Sequence, residues 1–147
     1  MSAPAELAGL PGTVLPEGRY VISPEENRLV AEIAGARACD YGIAHPLWAF
    51  IACQRGIGIS IADLCALADF DVADGPMMGG WEVQYHEDLR TDYVYDVTGE
   101  VTGLVRKTGR SGTFDLLTFE IDLRNGDETI VASTTTTFVL PRRTADA

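Results

Sequence analysis

Polar and apolar positions divide the chain into a helical half and a strand half. Ser23-Pro24-Glu25-Glu26 places a serine before a proline at the first helical position, with glutamate three residues after the serine. That is the pattern of a capping box. Leu29, Val30 and Ile33 follow on one helical face and Gly35 weakens the end, so a short amphipathic helix is expected. After a break at Cys39 to Pro46, the stretch from Leu47 to about Ala68 is almost continuously apolar. Leu47, Phe50, Ile51, Ile57, Ile61, Leu64 and Leu67 recur there at three- and four-residue steps, and so apolar a helix has to be buried on most sides. Gly56 and Gly58 each cost it about 1 kcal/mol relative to alanine, which implies that another element packs close to its backbone.

Beyond Gly75-Pro76 and Gly79-Gly80 the texture changes. Trp81, Val83 and Tyr85 alternate with polar residues, Tyr93 to Arg106 is rich in Val, Thr and Tyr, and Phe114 to Leu123 and Glu128 to Leu140 are two further β-rich runs. Asn125-Gly126 is a strong hairpin signal, and Arg110-Ser111-Gly112 reads as the preceding turn. A short strand is expected near Tyr20. One long apolar helix followed by a meander predicts an α+β domain: about five antiparallel strands wrapped around one helix from roughly Leu47 to Ala68. Residues 1–16 and 142–147 read as flexible ends, with the tail fraying from Pro141.

A length of 147 residues fits one domain, here 1–147, better than two. Cys39, Cys53 and Cys65 are odd in number and match no paired ligand spacing, so neither a disulfide framework nor a metal site is expected. Met1 to Pro16 lacks a basic segment followed by an apolar one, and no apolar run approaches the roughly 20 residues that span a bilayer. The expectation is a cytoplasmic protein. The net charge of -11 repels phosphate backbones and anionic lipid, so neither nucleic acid nor membrane is an expected partner. A phosphate-bearing ligand would need a local basic patch. Arg106, Lys107 and Arg110, three of the eleven basic residues, could form one; the other reading is a solvated hairpin turn.

This order of elements resembles that of the hot-dog fold, and the strand half just described resembles the MaoC-like hydratase/dehydratase family. Trp81 to Leu89 is similar to the segment in which a strand ends in an aromatic and reaches a turn, although the family's usual proline is Asp88 here. Tyr93 to Val105, followed by Arg106 to Gly112, resembles the next strand and its glycine-containing turn, and Thr134 to Arg142 the closing strand that ends in Pro-Arg. The resemblance covers roughly residues 20–142 and is nearest to the N-terminal, FAS1-type dehydratase half. It implies addition of water to a trans-2-enoyl-CoA, or removal of water from a 3-hydroxyacyl thioester, with no cofactor beyond the CoA thioester substrate. The family's chemistry sits in an Asp-x-Asn-Pro-x-His loop, where a carboxylate and an imidazole position and deprotonate water. Here the loop reads Asp40-Tyr41-Gly42-Ile43-Ala44-His45: the spacing survives, but Gly42 and Ile43 replace Asn and Pro. Two alignments stay open. In one, Asp40 and His45 are the catalytic pair; in the other the loop is structural, and His45-Pro46 opens the buried helix.

The leading expectation is therefore a subunit of an enoyl-CoA hydratase that pairs with a homologous hot-dog subunit, the partner carrying the Asp/His loop. Alternatives are a self-sufficient homodimer using Asp40 and His45, a thioesterase whose carboxylate would be Asp63, and a non-catalytic acyl-thioester binding module. His86 is expected to be exposed or at an interface, and Gln54 to serve an interface or capping hydrogen bond. Arg55 is expected to bridge a subunit contact, Met77 and Met78 to pack in a loop, and Trp48 and Trp81 to lie in the core.

Overall fold

The computed structural model describes residues 7–37 and 42–142. Its elements are β1 (Val14–Val21), α1 (Pro24–Ile33), α2 (Trp48–Gly56), α3 (Ile61–Leu67), a 3-10 turn at Val72–Asp74, β2 (Met77–Tyr85), β3 (Val94–Gly109), β4 (Gly112–Arg124) and β5 (Ile130–Arg142). The five strands form one antiparallel sheet in the order β1-β3-β4-β5-β2. Both expected turns are present: Gly109 pairs with Gly112 across Arg110-Ser111, and Asn125 receives the amides of Asp127 and Thr129 on its Oδ1 (2.9 and 3.1 Å). Strict alternation buries Leu117, Phe119, Ile121 and Leu123 of β4 against α2. The opposite face of β4 carries Thr118, Glu120 and Asp122.

The apolar stretch 47–68 is not one helix. It splits into α2 and α3, whose axes are bent by 70°. The break follows from close packing against β1. Gly58 N donates to Pro16 O at 2.9 Å, and a Cβ on either Gly18 or Gly58 would overlap backbone atoms of the facing segment. The two helix glycines are thus where the β1 backbone crosses the helix end, and the chain leaves helical geometry there. Ser60 restarts it, its hydroxyl accepting from Asp63 N at 3.0 Å. In α2 the small residues Ala49, Ala52 and Gly56 face the sheet beside Trp48, all buried.

Three further expectations are revised. Strand β1 begins at Val14, and Leu7 and Leu10 pack on the core, so much of the expected N-terminal arm is structured. Pro141 and Arg142 belong to β5. In α1 the Ser23 cap is in place, its Oγ accepting from Glu26 N at 3.0 Å, yet the buried residues are Asn27 and Ala31; Leu29 and Ile33 are 57% and 86% exposed. The helix leans on its Asn27 face because a polar contact described below anchors it there.

Strand β2 is one of the two edges of the sheet, the other being β1, and among the described residues no strand pairs with its side opposite β5. Its residues are exposed except for half-buried Val83. Trp81, expected in the core, is 44% exposed and stacks on Phe50 of α2 with ring centroids 4.7 Å apart. Met77 and Met78 open this strand rather than lying in a loop.

Candidate functional site

The loop from Gly42 to Leu47 connects the α1 region to α2, and most of its backbone polar groups have partners. Thr91 N donates to Gly42 O (2.9 Å), Ala44 N to Leu89 O (2.7 Å) and Trp48 N to His45 O (3.0 Å). His45 N donates to Asn27 Oδ1 at 2.8 Å, and Tyr85 OH to Pro46 O at 2.8 Å. The loop is clamped from α1 on one side and from β2 on the other.

His45 is half-buried within it. Its Nδ1 accepts from Leu47 N at 3.1 Å, which closes the turn leading into α2. An accepting Nδ1 assigns the proton of the neutral ring to Nε2. Asp40, the other half of the sequence-predicted pair, lies outside the described residues, as does Cys39.

Two concavities flank this loop. A groove of about 560 Å³ runs between Ile43, Ala44 and Pro46 and the segment Tyr85 to Leu89. A cavity of about 300 Å³ lies on the α1 side, walled by the same loop together with His45, Asn27, Ala31, Ala36 and Arg37. The groove offers a tyrosine hydroxyl, His86 and two carboxylates; the cavity offers an imidazole, a buried amide and a guanidinium. The Tyr85 ring is half-exposed, but partial burial raises its phenol above the ordinary value, and the hydroxyl is already committed as a donor to Pro46 O. His86 is exposed just past the end of β2, and its backbone N donates to Val131 O at 2.9 Å.

The sequence-predicted phosphate patch lies elsewhere. Tyr85 pairs with Ala132, Ala132 with Leu123 and Leu123 with Val97, so the groove sits at the Val97 end of β3. Lys107 is ten residues further along that strand, roughly 30 Å away at about 3.3 Å per residue. Arg106 forms an ion pair with Asp115, Nε to Oδ1 at 2.8 Å, while Lys107 and Arg110 are exposed at the hairpin tip. Asp115 is completely buried and also binds Arg142 (2.9 Å), whose guanidinium donates to Ala68 O and Asp69 O at the end of α3 and lies over the Phe70 ring.

The remaining candidates are also placed. Asp63 is exposed in the first turn of α3 and lines neither concavity. Gln54 Nε2 donates to Thr136 Oγ1 at 3.4 Å inside the fold. Arg55 bridges to Glu26 (3.1 Å) and Tyr20 OH (3.2 Å) within the chain, so its salt bridge is intramolecular. Sequence reasoning did not single out Asn27. The signal was there: asparagine is a poor helix former, and it shares a face with Ala31 in the middle of α1.

No family model and no curated protein sequence matches the chain. Solved structures do. A subunit of the C-terminally truncated HadBC (3R-hydroxyacyl-ACP dehydratase) complex of Mycobacterium tuberculosis superposes with a TM-score of 0.67 at 14% identity, covering 88% of this chain and 96% of that one. The ChsH1-ChsH2 complex of the same organism gives 0.66 at 19% identity, with coverages of 96% and 91%. A MaoC-like dehydratase gives 0.68 at 18% identity over 95% of this chain and 44% of that one. A hypothetical thioesterase from Streptococcus pneumoniae TIGR4 aligns at 0.52 and 16% identity, over 88% and 87%. Identities this low establish architecture alone: the chain has the hot-dog fold, and MaoC-like and HadBC dehydratases are among its structural neighbours.

Proposed function

We propose that this chain is a hot-dog subunit of an acyl-thioester hydratase/dehydratase and works paired, edge to edge, with a homologous subunit. The observation that carries the pairing is β2: an edge strand whose unbonded side and apolar residues Met78, Trp81 and Tyr85 lie open to solvent. Such an edge pairs with another strand unless something covers it. HadBC and ChsH1-ChsH2 are themselves two-component complexes, which supports a homologous partner over a monomer. Antiparallel pairing of β2 with its counterpart sets the Met77 end of one subunit against the Tyr85 end of the other. The Lys107/Arg110 hairpin then lies at the same end of the joined sheet as the partner's groove, where it serves the phosphates of a CoA thioester. Guanidinium groups suit that role by binding phosphate in two-pronged contacts.

In this reading the partner supplies the Asp/His pair that adds water across the enoyl double bond, hydroxyl to the β-carbon and proton to the α-carbon. In this chain the Nδ1 of His45 is occupied by Leu47 N and the Asn-Pro of the family loop is absent. One observation favours the second reading, a self-sufficient homodimer using Asp40 and His45: His45 lines a cavity together with Asn27 and Arg37. A thioesterase acting through Asp63 is disfavoured by the position of that residue away from both concavities.

The test is co-expression with an adjacent gene that encodes an intact Asp-x-Asn-Pro-x-His loop, followed by sedimentation and hydration of crotonyl-CoA. A stable heteromer that hydrates the thioester is expected. A monomer at micromolar concentration, alone and with the partner present, refutes the pairing. Activity of the isolated homodimer that is lost in His45→Gln selects the second reading.

A further inference from the structure

We infer that Asn27 is a positioning residue that fixes the tautomer of His45, so that the imidazole presents Nε2–H as a donor. The inference deepens the second reading above, giving His45 the part of a donor and not of the base, and it rests on that reading for its functional weight.

Asn27 is out of place by local rules. Asparagine is among the weaker helix formers, and a side-chain amide at 4% exposure needs hydrogen-bond partners. Its partner is not on α1. Oδ1 reaches across 18 residues to accept from His45 N at 2.8 Å. The helix beneath it is itself fixed: Ser23 caps its start, and Asn27 N donates to Ser23 O at 2.9 Å. The acceptor therefore comes from a rigid support and not from a loop.

This contact sets the ring. With its N–H held by Asn27 and its carbonyl held by Trp48 N, the main chain of His45 is fixed on both sides. The side chain then lies where Nδ1 receives Leu47 N–H at 3.1 Å. A nitrogen that accepts a backbone N–H carries a lone pair, so Nε2 holds the proton of the neutral ring. Tyr85 OH on Pro46 O secures the following residue from the opposite side. The orientation of Asn27 is determined as well, because only its oxygen can accept from His45 N. Its Nδ2 makes no hydrogen bond to a described residue, and the residue lines the same cavity as His45 and Arg37. The cavity thus gathers three donor groups. In a thioester reaction, donors serve where negative charge develops on the carbonyl oxygen. A histidine locked in this way is a donor in its neutral form, whereas a general base would have to present a lone pair.

The chain contains only two histidines, and His86 is exposed, so selective ¹⁵N-histidine labelling gives a two-residue spectrum with an internal control. At about pH 8, above the ordinary histidine range, His45 is expected to show an unprotonated Nδ1 and a protonated Nε2. A proton on Nδ1 in the unaltered protein overturns the inference. Asn27→Asp keeps shape and acceptor and is expected to keep this signature. Asn27→Leu keeps the shape alone and is expected to give a tautomer mixture, with exchange of the His45 amide faster by on the order of tenfold. A folded Asn27→Leu protein with the unaltered spectrum refutes the positioning role. Should that variant not fold, Asn27→Asp decides: loss of the signature in the folded Asp variant refutes it, and retention supports it. In a homodimer whose activity depends on His45, Asn27→Leu is expected to lower kcat more than it raises KM. If the spectra behave as expected but kcat does not move, the positioning stands and the catalytic reading of His45 falls.

Discussion

Replacing Asp115 by alanine tests the largest electrostatic commitment in the fold. The carboxylate occupies a core position of β4 with no solvent exposure and accepts three charged hydrogen bonds: Arg106 Nε (2.8 Å), Arg106 Nη2 (3.1 Å) and Arg142 Nε (2.9 Å). Removing one member of a buried ion pair costs about 3–5 kcal/mol, chiefly because the partner stays desolvated and uncompensated. The two guanidiniums differ in that respect. The Arg106 side chain is 32% exposed and can recover water, whereas that of Arg142 is 17% exposed and tied to the end of α3. The expected loss is therefore near the low end, about 3 kcal/mol. For a domain of this size each kcal/mol moves Tm by about 2–4 °C, so a fall of roughly 9 °C is predicted in calorimetry. A fall under about 2 °C would show that the cluster stabilises nothing beyond what apolar packing supplies. The triple change Asp115→Leu, Arg106→Leu, Arg142→Met provides the complementary check, since replacing all the charges together should recover most of the loss.

The same group fixes a pH dependence. Burial alone would raise the Asp115 pKa, but Arg106 and Arg142 outweigh it and hold the carboxyl below its ordinary value of 3.8. A depressed folded-state pKa stabilises the fold above the unfolded value and is lost as pH falls through the folded one. Stability of the unaltered protein should therefore fall below about pH 4 more steeply than that of Asp115→Ala. Parallel acid limbs in the two unfolding profiles would contradict the assignment.

Four other outcomes are expected. Glu120, opposite Glu100 across β3 and β4, has its pKa raised by burial, then by Asp122 and Glu100, so protonation favours the folded state. Glu120→Gln should gain about 0.5 kcal/mol at pH 7 in chemical denaturation, the gain vanishing in acid; an unchanged midpoint refutes it. Cys53 is pushed up to about 12 by burial, which its contact with Thr134 only partly offsets, so iodoacetamide at about pH 8 should alkylate it only after unfolding, as mass spectrometry would show. Tyr85→Phe removes the hydroxyl from Pro46 O and should cost about 1 kcal/mol, with faster amide exchange in residues 44–48; unchanged exchange there would exclude the clamp. Trp81→Glu puts a charge on the apolar face of the open edge and should convert the assembly to monomer in sedimentation without lowering Tm below that of the monomer; a persisting dimer would place the interface elsewhere.

What the sequence disclosed depended on whether a feature is local. The Ser23 cap, the Asn125-Gly126 turn and the alternation of β4 are decided by neighbouring residues, and each could be read directly. The split of α2 from α3 could not, because it is imposed by Gly18 of a strand some forty residues earlier; Gly56 and Gly58 showed only that something comes close. The outward turn of Leu29 and Ile33 has the same origin, since periodicity identifies an apolar face but not which face a distant polar contact will claim. Trp81 was misplaced because alternation puts it on the inner face of the sheet, while only the strand order shows that this face lies at an uncovered edge. The site follows this rule most strongly. His45 could be named from its spacing to Asp40, but its tautomer depends on Leu47, its orientation on Asn27 and the clamp on Tyr85. Two signals were nevertheless present in the pattern, both violations of it: an asparagine inside a helix and an aspartate in register with Leu117 and Phe119. Each marks a polar group that must be satisfied from far along the chain. In this protein one partner turned out to be the loop that carries the candidate histidine, and the other a pair of arginines, of which Arg142 pins the end of the sheet to the end of α3.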